Sequence, residues 1–431
     1  MGDFSTVVAD EHGTLRAEPS LAPAAATLGA LGPARDFGHF VPLPPGSALY
    51  RLPGRMALGF ARGARRPSLA GAAGSLAVAA ALPPGWLRLA LPAYRRRPGA
   101  PDLPLRAYTA VAVRGGELYV LARRIDPRTH WEPERFAGVD FAARWARLRR
   151  RLPGNRILRQ LGRCACEYGC STARNFFLGT FEAGLPVSPR CNARCLGCIS
   201  QGLSSAAGVC PQERIRRPPP ARHIVEAAVL HLRRARPAMV SFGQGCEGEP
   251  LLEARRLQAA IAAIRRRTPL GTIHMNTNGS LPSRLPALAR AGLDSVRVSL
   301  FSARPDAYAA YHGGSLTLAR VEQFLARAVE LGLIVSINLL VFPGFTDRQG
   351  ELRALAGLLR RTGARNLQLR NLDLDPDRLP GRVPPAGGRR LGLEGWLKAL
   401  RSEIDGLWFG SFNRFREELS GQFLDPGRPR R

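Results

Sequence analysis

The chain has 431 residues, 45% of them hydrophobic, and a formal net charge of +30. That length and apolar content allow two or three domains with a substantial core and exclude wholesale disorder. Eight cysteines spread over so long a chain do not make a secreted disulfide framework. The acidic start MGDFSTVVADEHGT lacks the apolar segment of a signal peptide. No apolar run reaches the roughly 18 residues that span a bilayer, so a cytoplasmic protein without membrane contact is expected. Lys398 is the only lysine, every other basic residue being arginine, and Ala, Gly and Pro are also abundant. This is the mark of a G- and C-rich genome. The charge therefore speaks for composition drift rather than for a nucleic-acid partner.

In chain order, residues 1–36 are rich in Ala, Pro and Gly and are expected to be loose. Residues 37–135 carry short β-like runs and are expected to form a small β-rich N-terminal domain. Ala107–Val113 and Glu117–Ala122 flank Arg114-Gly115-Gly116, the pattern of a hairpin. Residues 136–184 form a helical, cysteine-containing linker, with Trp145, Leu148, Leu152, Ile157, Leu158 and Leu161 at mostly helical spacing. From residue 185 to 375, strand and helix patterns alternate. The strands are Leu185–Ser188, Ala238–Gly243, Thr272–Asn276, Ser295–Leu300, Ile334–Val341 and Asn366–Leu369. The helices are Ala221–Ala235, Leu251–Arg267, Pro282–Ala291, Thr317–Leu331 and Arg348–Thr362. The predicted class is α/β, a partial (β/α)6 TIM-type barrel with its ligands at the C-terminal strand ends. Residues 376–431 add a helix, Leu391–Ile404, and a basic tail expected to be disordered.

The sharpest chemical signal is Cys191-Asn-Ala-Arg-Cys195-Leu-Gly-Cys198, a CxxxCxxC motif just after the first strand of the βα series. Three closely spaced thiolates suit three irons of a cubane cluster and leave the fourth iron open to a small molecule. A structural zinc site takes four ligands, commonly in pairs, and no second pair follows at the expected distance.

The motif and its surroundings resemble the radical S-adenosylmethionine (SAM) superfamily over roughly Leu185 to Asn371. The resemblance implies a [4Fe–4S] cluster on Cys191, Cys195 and Cys198. SAM would chelate the open iron, and its reductive cleavage would give a 5′-deoxyadenosyl radical that abstracts hydrogen from a substrate. Glu247-Gly248-Glu249-Pro250 resembles the family's GGEP element, with Glu247 in place of the first glycine. By that match Glu247, Gly248 and Glu249 bind the amino group of SAM. The third strand brings Asn276 and then Thr277-Asn278-Gly279, similar to the TNG element beside SAM. Ser299 and Asn338 resemble polar strand-end positions near the ribose or carboxylate, and Val341 to Gly344 the segment that borders adenine. One departure is Gly197, which stands where the family carries an aromatic residue before the third cysteine. Adenine contact then falls to Ile199 or to backbone.

Five cysteines lie outside the motif. Cys164, Cys166 and Cys170, with Cys210 as a distant fourth ligand, leave two readings open: an auxiliary iron–sulfur cluster, or small buried residues, the latter favoured. Cys166 and Cys170, four apart, would share a helix face. Cys246 is read as packing. The resemblance also implies a one-electron reductant such as a flavodoxin or ferredoxin as partner. The leading substrate is a peptide or protein side chain, with RNA modification as the second enzyme reading and a zinc-bearing nucleic-acid-binding protein as the non-enzyme reading.

Overall fold

The computed structural model describes residues 3–200 and 212–419. The chain divides into two compact units. One contains residues up to Asp126 together with Leu340–Ala356 and Leu369–Gly406, and the other contains Pro127–Leu339, Gly357–Gln368 and the residues from Leu407. The basic tail beyond residue 419 and Cys210 lie outside the described residues.

The first unit is built on antiparallel strands in two sheets. Strand pairing begins at Thr6–Ala9, which pairs with Leu15–Glu18 and with Leu76–Ala81. The expectation of a loose segment over residues 1–36 is therefore corrected. The run is rich in Ala and Pro, a composition of low strand preference, yet Val7, Val8, Ala9, Ala24 and Ala25 are all buried. Val8, Ala77, Ala79 and Tyr108 from one sheet share a core with Leu21 and Ala57 from the other. Small alanines let the sheets pack closely, and that gain is invisible to local propensity. The hairpin is found as predicted, with Arg114 opposite Glu117 across a two-residue turn.

A buried ion-pair network fixes Leu369–Gly406 to these strands. Arg55, fully buried, reaches Asp375 (2.9 Å) and Asp377 (2.7 Å), and the Tyr94 hydroxyl donates to Asp377 (2.9 Å). Losing one partner would strand a buried charge, a cost of roughly 3–5 kcal/mol. For this reason neither 375 nor 376 is a unit boundary.

The second unit holds most of a seven-stranded sheet in sequential order. Its strands are β1 (Phe181–Gly184), β2 (Ala238–Phe242), β3 (Thr272–Thr277), β4 (Ser295–Leu300), β5 (Ile334–Val341), β6 (Asn366–Asn371) and β7 (Trp408–Gly410). Pairings β1–β2, β2–β3, β3–β4, β4–β5 and β6–β7 are parallel. Alternation sorts the residues by face. Val240, Phe242, Ile273, Met275, Val296, Val298, Val335 and Ile337 are buried on the apolar alternation, while Glu182, His274, Asn276, Ser295, Arg297, Ser299, Ser336, Asn338 and Gln368 follow the polar one. The sheet curls. Arg297 donates to Gln368 (2.9 Å), Gln368 to Asn413 (3.0 Å) and Asn413 to Glu182 on β1 (3.0 Å), which bridges the first and last strands. The result is the predicted partial TIM-type barrel, with β7 as a strand that three residues of Trp-Phe-Gly do not announce.

The helices of this unit are α1 (Phe141–Arg151), α2 (Arg156–Cys166), α3 (Ser171–Leu178), α4 (Ala221–Arg234), α5 (Ala254–Arg267), α6 (Leu285–Ala291), α7 (Pro305–His312) and α8 (Leu318–Glu330). Asp140 and Asn155 cap α1 and α2 through side-chain acceptors. Helix α7 was not anticipated, because its eight residues lack a polar face. Two further helices, α9 (Gln349–Thr362) and α10 (Leu393–Glu403), match the predicted segments within two residues.

Gly344 marks a close backbone approach within the first unit. It has φ +86°, and a Cβ there would lie 2.4 Å from the Leu28 backbone nitrogen. Leu28 N–H also donates to the Pro343 carbonyl (2.9 Å). Gly344→Ala is expected to cost roughly 1–3 kcal/mol through overpacking and a comparable amount through left-handed backbone. A thermal melt followed by circular dichroism reads this out, and an unchanged midpoint would contradict it.

Candidate functional site

The site is assembled at the C-terminal ends of β1, β2 and β3. Strand β1 ends at Gly184, before the predicted Leu185–Ser188. The reason is a competing acceptor. Val187 and Ser188 donate their amides to Glu247 Oε2 (2.7 and 2.9 Å) instead of to a neighbouring strand. Glu247 Oε1 takes the amides of Gly243 (2.5 Å) and Gln244 (2.9 Å). The side chain is 2% exposed, and it satisfies four backbone donors in two loops. Burial pushes its carboxyl up, toward about 7, while the four N–H groups pull it down. A shell of donors leaves no place for a carboxyl proton, so the ionised form does the bracing. Both oxygens are engaged within the fold, which gives Glu247 a bracing role.

Past this brace the chain enters the cysteine loop. Gly248 N–H donates to Ser188 O (2.7 Å) and Glu249 N–H to Arg190 O (2.8 Å). A Cβ on Gly248 would lie 2.0 Å from Arg190 O, so only glycine allows the two segments to meet. Glu249 is 3% exposed. Its Oε1 accepts from Leu251 N–H (3.0 Å) and the Thr277 hydroxyl (2.5 Å), and its Oε2 from Asn278 N–H (2.7 Å). Burial raises its carboxyl to about 7. Asn278 in turn donates to Asn192 Oδ1 (2.8 Å), and Asn192 donates to Ser280 Oγ (2.9 Å). The loops after β1, β2 and β3 are thus one hydrogen-bonded body.

Within the cysteine loop the Cys191 and Cys195 thiols are both raised, mainly by burial and in part by the neighbouring thiols. Ala193 N–H donates to Cys191 Sγ (3.4 Å). Arg214 donates to Ser200 O (3.1 Å) and Oγ (3.0 Å) and lies 3.9 Å from Cys198 Sγ. Its positive charge pulls the Cys191 and Cys195 thiols down. His312 Nδ1 lies 3.4 Å from Cys195 Sγ. Among the described residues, no three Cys, His, Asp or Glu side chains converge as ligands of a single metal ion. Three thiols within eight residues of one loop are the donor set that suits three irons of a cubane cluster. Arg214 and His312 were not found from the sequence: one arginine among so many gives no signal, and His312 is more than a hundred residues from the motif.

The remaining expected ligands lie on the polar alternation. Asn276 is engaged internally, donating to Phe242 O (3.0 Å) and bonded to His274 Nε2 (3.0 Å). Ser299 and Asn338 stand opposite one another on β4 and β5. Asn338 is 8% exposed and its Oδ1 is buried without a partner. A buried orphan acceptor is rare and calls for a ligand or water. Asn338 Oδ1 thus has no partner among the described residues, whereas the side chains of Asn276 and Glu247 are bonded within the fold. Val341 and Phe342 are buried in packing, and Gly344 meets Leu28 rather than open space.

The outlying cysteines regroup. Helix α2 ends at Cys166 and α3 begins at Ser171, so Cys166 and Cys170 do not share a helix face. Cys164 and Cys166, two apart on α2, point to different sides; the first is buried and the second exposed. Cys164 instead hydrogen bonds Cys246, an interaction that lowers the first thiol and raises the second. Among the described residues, Cys164, Cys166 and Cys170 do not gather as a ligand group, as the favoured reading has it, and Cys210 lies outside those residues. Cys246 packs as expected.

Glu247→Gln tests the brace. The amide nitrogen sets a donor against two backbone N–H groups, so this isosteric change should destabilise the metal-free protein by roughly 1–3 kcal/mol. A denaturant melt with an unchanged midpoint, together with weakened SAM binding, would instead make Glu247 a ligand.

With this geometry in view, residues 185–356 match the radical SAM superfamily. The chain is 30% identical over 181 residues to a GTP 3′,8-cyclase of Aquifex aeolicus, covering 42% of this chain and 52% of that protein. It is 34% identical over 197 residues to GTP 3′,8-cyclase 2 of Mycobacterium tuberculosis, covering 44% and 49%. The chain thus spans about half the length of the curated relatives it matches. Among solved structures, Streptococcus suis SuiB aligns over 63% of this chain and 60% of its own at 14% identity and TM-score 0.38. The FeFe-hydrogenase maturase HydG from Carboxydothermus hydrogenoformans aligns over 66% and 74% at 14% identity and TM-score 0.37. No helix among the described residues is long and apolar enough to cross a membrane. Residues 185–356, which the cysteine loop opens, thus form a radical SAM domain.

Proposed function

We propose that the protein is a radical SAM enzyme in which Cys191, Cys195 and Cys198 hold a [4Fe–4S] cluster and the ends of β2 to β5 hold SAM. The observation that carries this reading is the cysteine loop, in which three thiols share one loop tied by Glu249, Asn278 and Asn192 to the ends of β2 and β3. When bound, a reduced cluster with one open iron supplies the electron that cleaves SAM and starts hydrogen abstraction from substrate. The chain's own residues do the placing. Arg214 offsets the negative charge of thiolate ligands. Glu249, buried at the junction of three loops, offers its carboxylate to an ammonium group. Asn338 Oδ1 accepts from a ribose hydroxyl or an ammonium, with Ser299 beside it.

The relatives named GTP 3′,8-cyclase support radical initiation as the shared chemistry. At about 30% identity over about half of each relative, they favour a nucleotide over a peptide as a starting point for substrate trials. An external one-electron donor, such as a flavodoxin or ferredoxin, completes the reaction and is part of the proposal.

Anaerobic reconstitution with iron and sulfide is expected to give a brown protein that forms 5′-deoxyadenosine with dithionite and SAM. Replacing Cys191, Cys195 and Cys198 together by Ala should abolish this product. Undiminished product from that triple variant, or stoichiometric zinc in the anaerobically purified protein, would overturn the reading.

Asn338→Ala is expected to weaken SAM binding about tenfold, the loss of one hydrogen bond at about 1–1.5 kcal/mol. The melting point of the metal-free protein should stay near that of wild type, because Oδ1 has no internal partner to lose. Unchanged SAM affinity by calorimetric titration would remove Asn338 from the site.

A further inference from the structure

Helix α7 is the platform on which the cysteine loop rests. Its last carbonyls have no partner inside the helix, and the loop supplies donors for two of them. Arg194 N–H donates to His312 O (2.8 Å) and Leu196 N–H to Tyr311 O (3.0 Å). Just past the helix, a Cβ on Gly314 would lie 2.6 Å from Asn192 O, so the loop lies directly on the chain there. The His312 side chain completes this contact, with Nδ1 at 3.4 Å from Cys195 Sγ. The ring is 1% exposed. It is fixed by stacking on Tyr308 (centroids 4.3 Å apart, 28°) and by an edge contact with Tyr311 (5.0 Å, 78°). Its other nitrogen, Nε2, is buried with no partner. The hydrogen-bonding capacity of the ring is thus directed at one sulfur.

We propose that His312 is a positioning residue for the cluster, which donates its Nδ1–H to the Cys195 sulfur and holds the cluster at a higher reduction potential than it would otherwise have. The proposal rests on the assignment of Cys195 as a cluster ligand. The direction of the bond follows from chemistry. A metal-bound thiolate has no proton to give, so imidazole can bond it only as a donor. A donor to a cluster sulfur stabilises the extra electron of the reduced state. The buried aromatic seat keeps the ring from turning away and excludes water that could replace it.

Three variants of the full-length reconstituted protein test this. His312→Phe keeps a stacking ring and removes the donor. His312→Asn keeps an amide N–H near the position of Nδ1. Iron content and electron paramagnetic resonance establish cluster loading, and a redox titration gives the midpoint potential. His312→Phe is expected to load iron and to shift the midpoint to more negative potential, and His312→Asn to restore most of the shift. A midpoint unchanged in His312→Phe, or shifted equally in His312→Asn, would overturn the proposal. Should His312→Phe fail to load, His312→Asn against His312→Leu carries the same comparison. A second readout needs no cluster. In metal-free protein the rate of Cys195 alkylation by iodoacetamide, mapped by mass spectrometry, should fall several-fold in His312→Phe while Cys191 and Cys198 keep theirs. Equal rates at Cys195 would count against the contact itself. Wild-type protein that takes up no iron would defeat the cluster assignment instead, and the alkylation result would still stand on its own.

Discussion

The site depends on a buried carboxylate with four backbone donors. Glu247 binds the amides of Val187 and Ser188 on one side and of Gly243 and Gln244 on the other. Those amides lie where two parallel strands have ended and their ladder partners have run out. A buried unpaired amide is costly, so one anion that satisfies four of them sets the path of both loops. The path decides where Cys191 begins and where Gly248 and Glu249 pass behind it. The family's usual glycine at this place would leave those amides to another acceptor; here the side chain supplies one.

From that brace the order spreads through polar contacts on one face of the sheet and apolar contacts on the other. The barrel interior is a chain of partners, Arg297 to Gln368 to Asn413 to Glu182, which closes the curl. Higher up, His274, Asn276 and Phe242 O bond one another. Polar groups near the strand ends that lack such partners are few, and Asn338 Oδ1 is one of them. The contrast separates the interior's structural polar residues from those able to take a ligand, although both kinds sit at similar positions along their strands.

The outlying thiols obey the same logic of burial. Cys164 and Cys246 are both buried and interact with one another inside the unit, a pairing that their spacing in sequence does not show. Cys166, two residues further along α2, faces solvent. In the first unit, Arg55 between Asp375 and Asp377 does for the strand sandwich what Glu247 does for the barrel: a buried charge is tolerated because its partners are fixed around it.

The strand–helix alternation, the hairpin at Gly115-Gly116 and the CxxxCxxC loop were legible in the sequence because each rests on short-range rules: a period of two or 3.6, a tight turn, and ligand spacing within one loop. The family likeness rested on several such segments in the right order. The N-terminal strands, built of Ala and Pro, were not legible, since their stability comes from sheet-to-sheet packing that no local window contains. Nor could spacing tell Glu247 from Glu249, or Asn276 from Asn338. Each pair has the same chemistry at neighbouring positions, and the roles differ only in which donors and acceptors the fold brings to them. His312 and Arg214 are the plainest cases. His312 approaches from more than a hundred residues away and meets Cys195 because the loop is seated across the end of α7, while Arg214 reaches Cys198 from sixteen residues further on.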